Sequence, residues 1–377
     1  QLRRGVAQVY EHQLNDIYQA IGQLTAVLDD DAGDQGALTE LDRIYAQQKM
    51  WPDLLDVVDR RALLAISAKD RADLAFRAAR LVEVELNDQE ASIPRYGAVL
   101  QVLPSHANGR AALEALLAKD HYVETVSPIL ERVYRADREA AGLVRVYERR
   151  LAVGIGDRRA DWTSLAEVHE TLAGSPAQAF HVWSRAIQAD PDDIELLVPL
   201  LRLADSQNLW RDLATRLDSL LTEALPPEVE QAYAMHLGEI ARARLSDLDR
   251  ASRAFDRASN GPDARAALTA LEQVLASANR WPELAAVLRR EADTSEDDLE
   301  TAEYLFRLGD LQETTLGDTR AAVAAYREVL GIVASHKGAR AALERMLQSS
   351  DHGDEIVDIL EPLFEQDGDD ARLALGL

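Results

Sequence analysis

The chain has 377 residues, 47% apolar but only 5% aromatic, with 41 basic against 66 acidic side chains and a net charge of −25. That balance argues against nucleic acid and anionic membrane as partners. The absence of cysteine excludes disulfides, thiol catalysis and thiolate metal sites.

No apolar run approaches the ~18–20 residues that a membrane span needs. No signal peptide is visible, so the cytoplasm is the expected compartment, although a cysteine-free chain suits a periplasm as well. The chain opens on Gln1 without an initiator Met and reads as a piece of a longer protein. Only Lys49, Lys69, Lys119 and Lys337 are lysines, and the preference for Arg reads as the signature of a GC-rich, bacterial-type genome.

Taken in order, the chain is a run of predicted helices. Val6-Ala7 lies on a first helix, and Ala20, Leu24 and Val27 form the inner stripe of a second. Asp29 to Asp42 has the flavour of a calcium loop, with Gly36 six positions into a window starting at Asp31. Gly33 and Gln35 occupy ligand positions there and Asp42 stands where a bidentate Glu belongs, so a solvated loop between helices is the better reading. Leu38, Leu41 and Ile44 mark the next helix, and Trp51-Pro52-Asp53-Leu54 opens its partner. Ala78-Ala79 and then Ser92, Tyr96, Val99 and Pro104 repeat the first pattern.

The segment 106–136 breaks the rhythm. Arg43–Arg61 aligns without gaps onto Arg132–Arg150, so about one extra helix lies upstream of Arg132, placed at Asn108–Ala118. An inserted helix changes the phase of a stack, so a bend is expected here.

The cleanest hairpin is Asp161–Asp193. Trp162, Leu165, Ala166, His169 and Leu172 recur at three- and four-residue spacing and share one helix face. Gly174 suits the left-handed end of that helix, and Ser175 with Pro176 suits the start of the next. Ala179, Trp183, Ala186 and Ile187 form the second stripe, and Asp190-Pro191 stops it.

Leu197, Leu200 and Leu203 precede Trp210-Arg211-Asp212-Leu213, and Leu268, Leu271 and Val274 precede Trp281-Pro282-Glu283-Leu284. These tryptophans read as wedges between hairpins. Leu237-Gly238 with Ala251, Phe255 and Ala258, then Leu308-Gly309 with Ala322, Tyr326 and Val329, complete the series. The small pairs therefore recur at intervals of 72, 87, 72 and 71 residues, each interval holding a second, more degenerate hairpin.

His106 to Tyr134 maps onto His336 to Phe364, an offset of 230 residues, so the chain stops partway through a second large block. Arg372 to Leu377 reads as the start of another apolar helix. The organisation expected is 1–105 and 137–335 as regular hairpins, 106–136 as the irregular segment and 336–377 as the truncated second block.

The Asp161–Asp193 hairpin resembles the tetratricopeptide repeat on Leu165-Ala166, Ala179, Trp183, Ala186 and Pro191. That family carries a Leu-Gly-like pair on its first helix, then Ala, aromatic, Ala and Pro on its second. Here the turn is about one residue longer, and the other good copies share the departure. The resemblance implies an all-α, right-handed α-solenoid of stacked helix-turn-helix repeats over nearly the whole chain.

It also implies a scaffold or adaptor that holds a protein or peptide partner on a concave face lined by first-helix residues. The positions that map there are Arg4, Gln8 and Glu11; Asp73, Phe76, Arg80 and Glu83; Thr163, Glu167 and Glu170; Met235, Glu239 and Arg242; and Glu303, Phe306, Asp310 and Glu313. The set lacks the Lys and Asn clamp with which the family grips acidic chaperone tails. It is net acidic with a few apolar residues, so a basic or amphipathic segment is the expected ligand.

No phosphate loop, HExxH, GxSxG or kinase-type set is present. No enzyme activity and no cofactor are expected. His12, His106, His121, His169, His181, His236, His336 and His352 are scattered; His169 and His181 face one hairpin, but a pair without a third ligand is a poor zinc site, and no metal is expected. The acidic runs Asp190–Asp193, Glu296–Asp298 and Asp367–Asp370 read as helix stops and caps. Two other functions fit the same fold: an array that self-associates through its ends, a behaviour that the truncated apolar end at Leu373, Leu375 and Leu377 would mimic artificially, and the sensor arm of a larger multidomain enzyme.

Overall fold

A computed structural model of the chain describes residues 2–348 and 353–367. His352, the acidic residues Asp369 and Asp370, and the apolar segment 372–377 lie outside the described residues. Twenty-one α-helices and no strand are found among the described residues, and the chain divides into two units, the first ending at Trp183 and the second beginning at Ser184.

The first unit holds α1 (Leu2–His12), α2 (Ile17–Asp30), α3 (Gln35–Gln47), α4 (Trp51–Leu64), α5 (Ala68–Arg80), α6 (Gln89–Val102), α7 (Ala107–Leu117), α8 (Val123–Asp137), α9 (Ala140–Val153) and α10 (Arg158–Glu167). α11 (Pro176–Ala189) runs from the first unit into the second. From α1 to α10 each helix packs on the one before it. The second unit continues with α12 (Leu197–Gln207), α13 (Trp210–Leu220), α14 (Pro227–Ile240), α15 (Leu248–Ala258), α16 (Ala264–Ser277), α17 (Trp281–Thr294), α18 (Asp298–Leu311), α19 (Thr319–Ile332), α20 (Lys337–Leu347) and α21 (Gly353–Asp367). There too, from α12 onward, every helix packs on its predecessor. Each unit is thus an all-α stack of helical hairpins, the solenoid class expected from the periodicity.

Capping explains where the helices start. Asp16, Asp34, Asp88, Asp157, Asp247 and Asp318 each accept a backbone N–H three residues on, and His106 and His336 do the same through Nδ1. Each of the aspartate caps contributes about 1 kcal/mol. The stretch from Asp29 to Asp42 is accordingly not a metal loop: Asp34 caps α3, Gly36 lies in its first turn, and Asp42 is a buried residue of that helix.

The extra residue in the turn of the good copies has a structural explanation. α5, α10, α14 and α18 each run on into a five-residue π-helical turn, at Leu81–Glu85, Val168–Leu172, Ala241–Leu245 and Gln312–Leu316. The chain leaves that turn through a residue in the left-handed region: Asn87, Gly174, Ser246 or Gly317. The next N–H then reaches back six residues, as from Ser175 to His169 and from Asp318 to Gln312. The added residue is absorbed by widening the last helical turn, so the following helix keeps its place. Ser175 behaves differently from the cap expected of it, since its hydroxyl donates to the Ala173 carbonyl at 3.3 Å.

Packing follows the small-to-large pattern. Ala179, Ala186, Ile187, Trp183, Trp162 and Leu165 are all buried. A Cβ built on Gly238 would stand 2.5 Å from the Phe255 ring, and one on Gly309 would stand 2.7 Å from the ring of Tyr326. These helices therefore touch backbone to ring. Trp51, Trp210 and Trp281 each open a helix and are half-buried; Trp51 and Trp281 pack against the cores of their units, and Arg244 lies 4.6 Å over the ring of Trp210.

Candidate functional site

The first-helix faces divide into residues that the fold engages and residues that it leaves to solvent. Phe76 on α5 is half-buried, its ring 5.7 Å from Tyr96 on α6 and 5.2 Å from His106 at the start of α7. Tyr96 donates its hydroxyl to Glu83 at 2.5 Å, and Arg80 reaches the same carboxylate at 2.9 Å. Burial, reinforced by that carboxylate, pushes the Tyr96 phenol up. Asp73 lies 3.1 Å from His106 Nε2.

The same constellation recurs 230 residues later. Phe306 packs 5.9 Å from Tyr326 and 4.9 Å from His336. Tyr326 donates to Glu313 at 3.0 Å, and Arg345 places one nitrogen 2.8 and 2.9 Å from the two oxygens of that carboxylate. Phe76, Glu83, Phe306 and Glu313 thus form two copies of one structural cluster. Met235 packs on the core of the second unit, and Glu239 pairs with Arg242 at 2.7 Å. Glu11 accepts from Arg43 at 2.6 Å, which holds its carboxyl below the usual range. Arg4 lies 3.5 Å from Asp34, and Gln8 is exposed.

Most of the remaining side chains face water. Thr163, Glu167, Glu303 and Asp310 are exposed, Arg80 and Arg242 extend outward beside their acids, and Glu170 is half-buried and engaged. His169 and His236 are half-buried, and burial lowers the pKa of each; His181 is exposed, its ring edge-on to Phe180 at 6.1 Å.

A second pattern was not legible in the sequence. Arginines pair with carboxylates one hairpin away: Arg43 with Glu11, Arg77 with Asp42, Arg95 with Asp59, Arg145 with Glu114, Arg290 with Asp256 and Arg345 with Glu313. The planar fork of arginine spans that gap and grips two atoms where lysine presents a point charge. The preference for arginine therefore has a structural use beyond gene composition.

Glu291 on α17 is a third feature. It is 4% exposed, and one of its carboxylate oxygens has no hydrogen-bond partner. Burial and the neighbouring Glu272 push its carboxyl up to about 7. The signal was present: Leu284, Val287, Leu288, Glu291 and Ala292 share one helical stripe, which places an acid among apolar residues.

No helix among the described residues is long and apolar enough to cross a membrane. No family model matches the chain, and no curated protein matches it. Among solved structures, a human IFIT1 dimer with m7Gppp-AAAA shares 11% identity over 99% of this chain and 88% of its own, at a TM-score of 0.28. The structure of Naa15/Naa10 bound to HypK-THB shares 15% over 97% of this chain, which spans 58% of that one, at a TM-score of 0.26.

Proposed function

We propose that the chain is a non-catalytic interaction scaffold that holds a basic or amphipathic segment of a partner protein on its acidic helical faces. The observation that carries this is the fate of the charges. Acidic side chains outnumber basic ones by 66 to 41. Arg43, Arg77, Arg95, Arg145, Arg290 and Arg345 turn toward the chain's own acids one hairpin away. What remains for a partner to meet is negative, and such a surface steers and selects positive segments.

Charge reversal at exposed first-helix positions provides the test. A partner is captured from the source cells and identified by mass spectrometry, and its affinity is then measured for wild type and for Glu167→Lys, Glu303→Lys and Asp310→Lys. Each reversal is expected to weaken binding by about 3- to 10-fold at low salt, with less effect at high salt. A captured species destroyed by nuclease, or a basic partner indifferent to all three reversals, overturns the reading.

A further inference from the structure

The second unit contains a cavity of about 550 Å³ between α16, α17 and α18. Leu268 and Tyr304 supply apolar and aromatic wall, Asp263 and Glu296 stand at its lip, and Glu291 lines its interior. Glu291 is nine-tenths buried, and its second oxygen, screened from water, has no partner within the fold.

The chain's own nearby cations are committed elsewhere. Arg265 at the mouth pairs with Glu300, and Arg307 on α18 pairs with Glu272 on α16. Arg307 offsets the charge of Glu291 only in part, so burying that carboxylate is costly, and a ligand that brings a cation recovers the cost on binding. A bare metal ion needs several converging ligands, and among the described residues no three metal-binding side chains meet. An organic cation with an aliphatic stem matches the walls better, since its head reaches the carboxylate while its stem lies along Leu268 and Tyr304.

We infer that this cavity is a subsite for a guanidinium or primary ammonium group, and that the group is an Arg or Lys side chain of a basic segment. The inference rests on the scaffold reading above and adds to it a defined pocket. The groups facing Glu291 are Glu272 and Arg265 from α16, Glu300, Tyr304 and Arg307 from α18, and Asp263 and Glu296 at the lip. Because burial holds the Glu291 carboxyl near neutrality, a bound cation favours its ionised form and releases a proton.

The test is titration calorimetry of the whole chain with two probes, the capped tripeptide acetyl-Gly-Arg-Gly-amide and the free amine agmatine, at pH 8 and pH 5.5. The tripeptide is expected to bind wild type at pH 8 and to bind Glu291→Gln at least 10-fold more weakly. Wild-type affinity should fall toward pH 5.5, and that of Glu291→Gln should change much less. Glu296→Gln, at an exposed lip position, should weaken binding about 2- to 5-fold without touching the fold. Agmatine binding where the tripeptide does not overturns the peptide assignment in favour of a free amine. If neither probe binds, or if binding ignores Glu291→Gln, the subsite is overturned. A basic partner released by Glu167→Lys would still stand in that case, so the two readings fail separately.

Discussion

Arg77 turns both terminal nitrogens of its guanidinium onto the carboxylate of Asp42, 35 residues earlier, at 2.6 and 2.5 Å. Asp42 is only 4% exposed and also receives Arg61, so α3, α4 and α5 are tied at one buried acid. Replacing Asp42 with Asn keeps its shape but leaves two guanidiniums facing each other without a counter-charge. Complete burial would put the loss at about 3–5 kcal/mol. Both arginines retain solvent contact, with side chains 24% and 40% exposed, so about 2 kcal/mol is expected. Stacked repeats open locally, so amide exchange is the measurement: protection should drop in α3 to α5 and persist in α8. Unchanged protection in α3 would show the carboxylate to be dispensable.

Gly238→Ala and Gly309→Ala probe the closest approaches in the second unit. The added methyl would meet the rings of Phe255 and Tyr326, both fully buried, so the helices must separate. A loss of about 1–3 kcal/mol is expected for each. Gly22, inside α2, has nothing within 4 Å of such a methyl, and Gly22→Ala should stabilise by up to about 1 kcal/mol through helix propensity. Urea midpoints for the three variants should therefore move in opposite directions, and a common direction contradicts the packing argument.

Tyr326 donates to Glu313 while Arg345 holds the same carboxylate. Tyr326→Phe should cost about 1.5–3 kcal/mol, the value of a hydrogen bond to a charged group. The chain already carries one such change: Tyr134 donates to Glu114, and 230 residues later its counterpart is the buried Phe364. Tyr96→Phe should behave like Tyr326→Phe, because Glu83 plays the part of Glu313. A cost above about 3 kcal/mol for either would mean that the hydroxyl does more than fill one acceptor.

The hairpins were readable because small and large residues recur at helical spacing, and Gly238 against Phe255 is that rule made physical. The widened turns were half readable: an extra residue could be counted, but nothing local dictates that it enters a π turn at Val168–Leu172. The pairing of Arg77 with Asp42 could not be read, since residues 35 apart meet only once the hairpins have stacked. Asp42 and Glu291 were legible as anomalies, each an acid inside an apolar stripe, beside Leu38, Leu41 and Tyr45 or beside Leu284, Val287 and Leu288. First-helix spacing picked out Phe76 and Phe306 as surface positions. Spacing gives the side of the helix and not what leans on it, and His106 and His336 cover part of both rings.

Glu291 also fixes the pH dependence of stability. Its carboxyl is raised from 4.5 to about 7, first by burial and then by Glu272. Between those values the native state holds a proton that the unfolded chain has lost, so stability falls as pH rises through this window. The penalty then stays level, at about 3 kcal/mol or less. His169 and His236 act in the opposite sense. Burial lowers their pKa from 6.5, so the native state resists protonation and loses stability as pH falls below that value. The two effects overlap in a raw profile, and the difference between Glu291→Gln and wild type separates them because the histidine contribution cancels. Gln mimics the protonated acid, so the variant should match wild type below about pH 4.5 and exceed it by about 2–3 kcal/mol at pH 8. Urea denaturation at half-unit steps of pH reads this directly. A constant offset across the range would mean that Glu291 stays ionised throughout, and with it the case for an uncompensated acid in the cavity would fail.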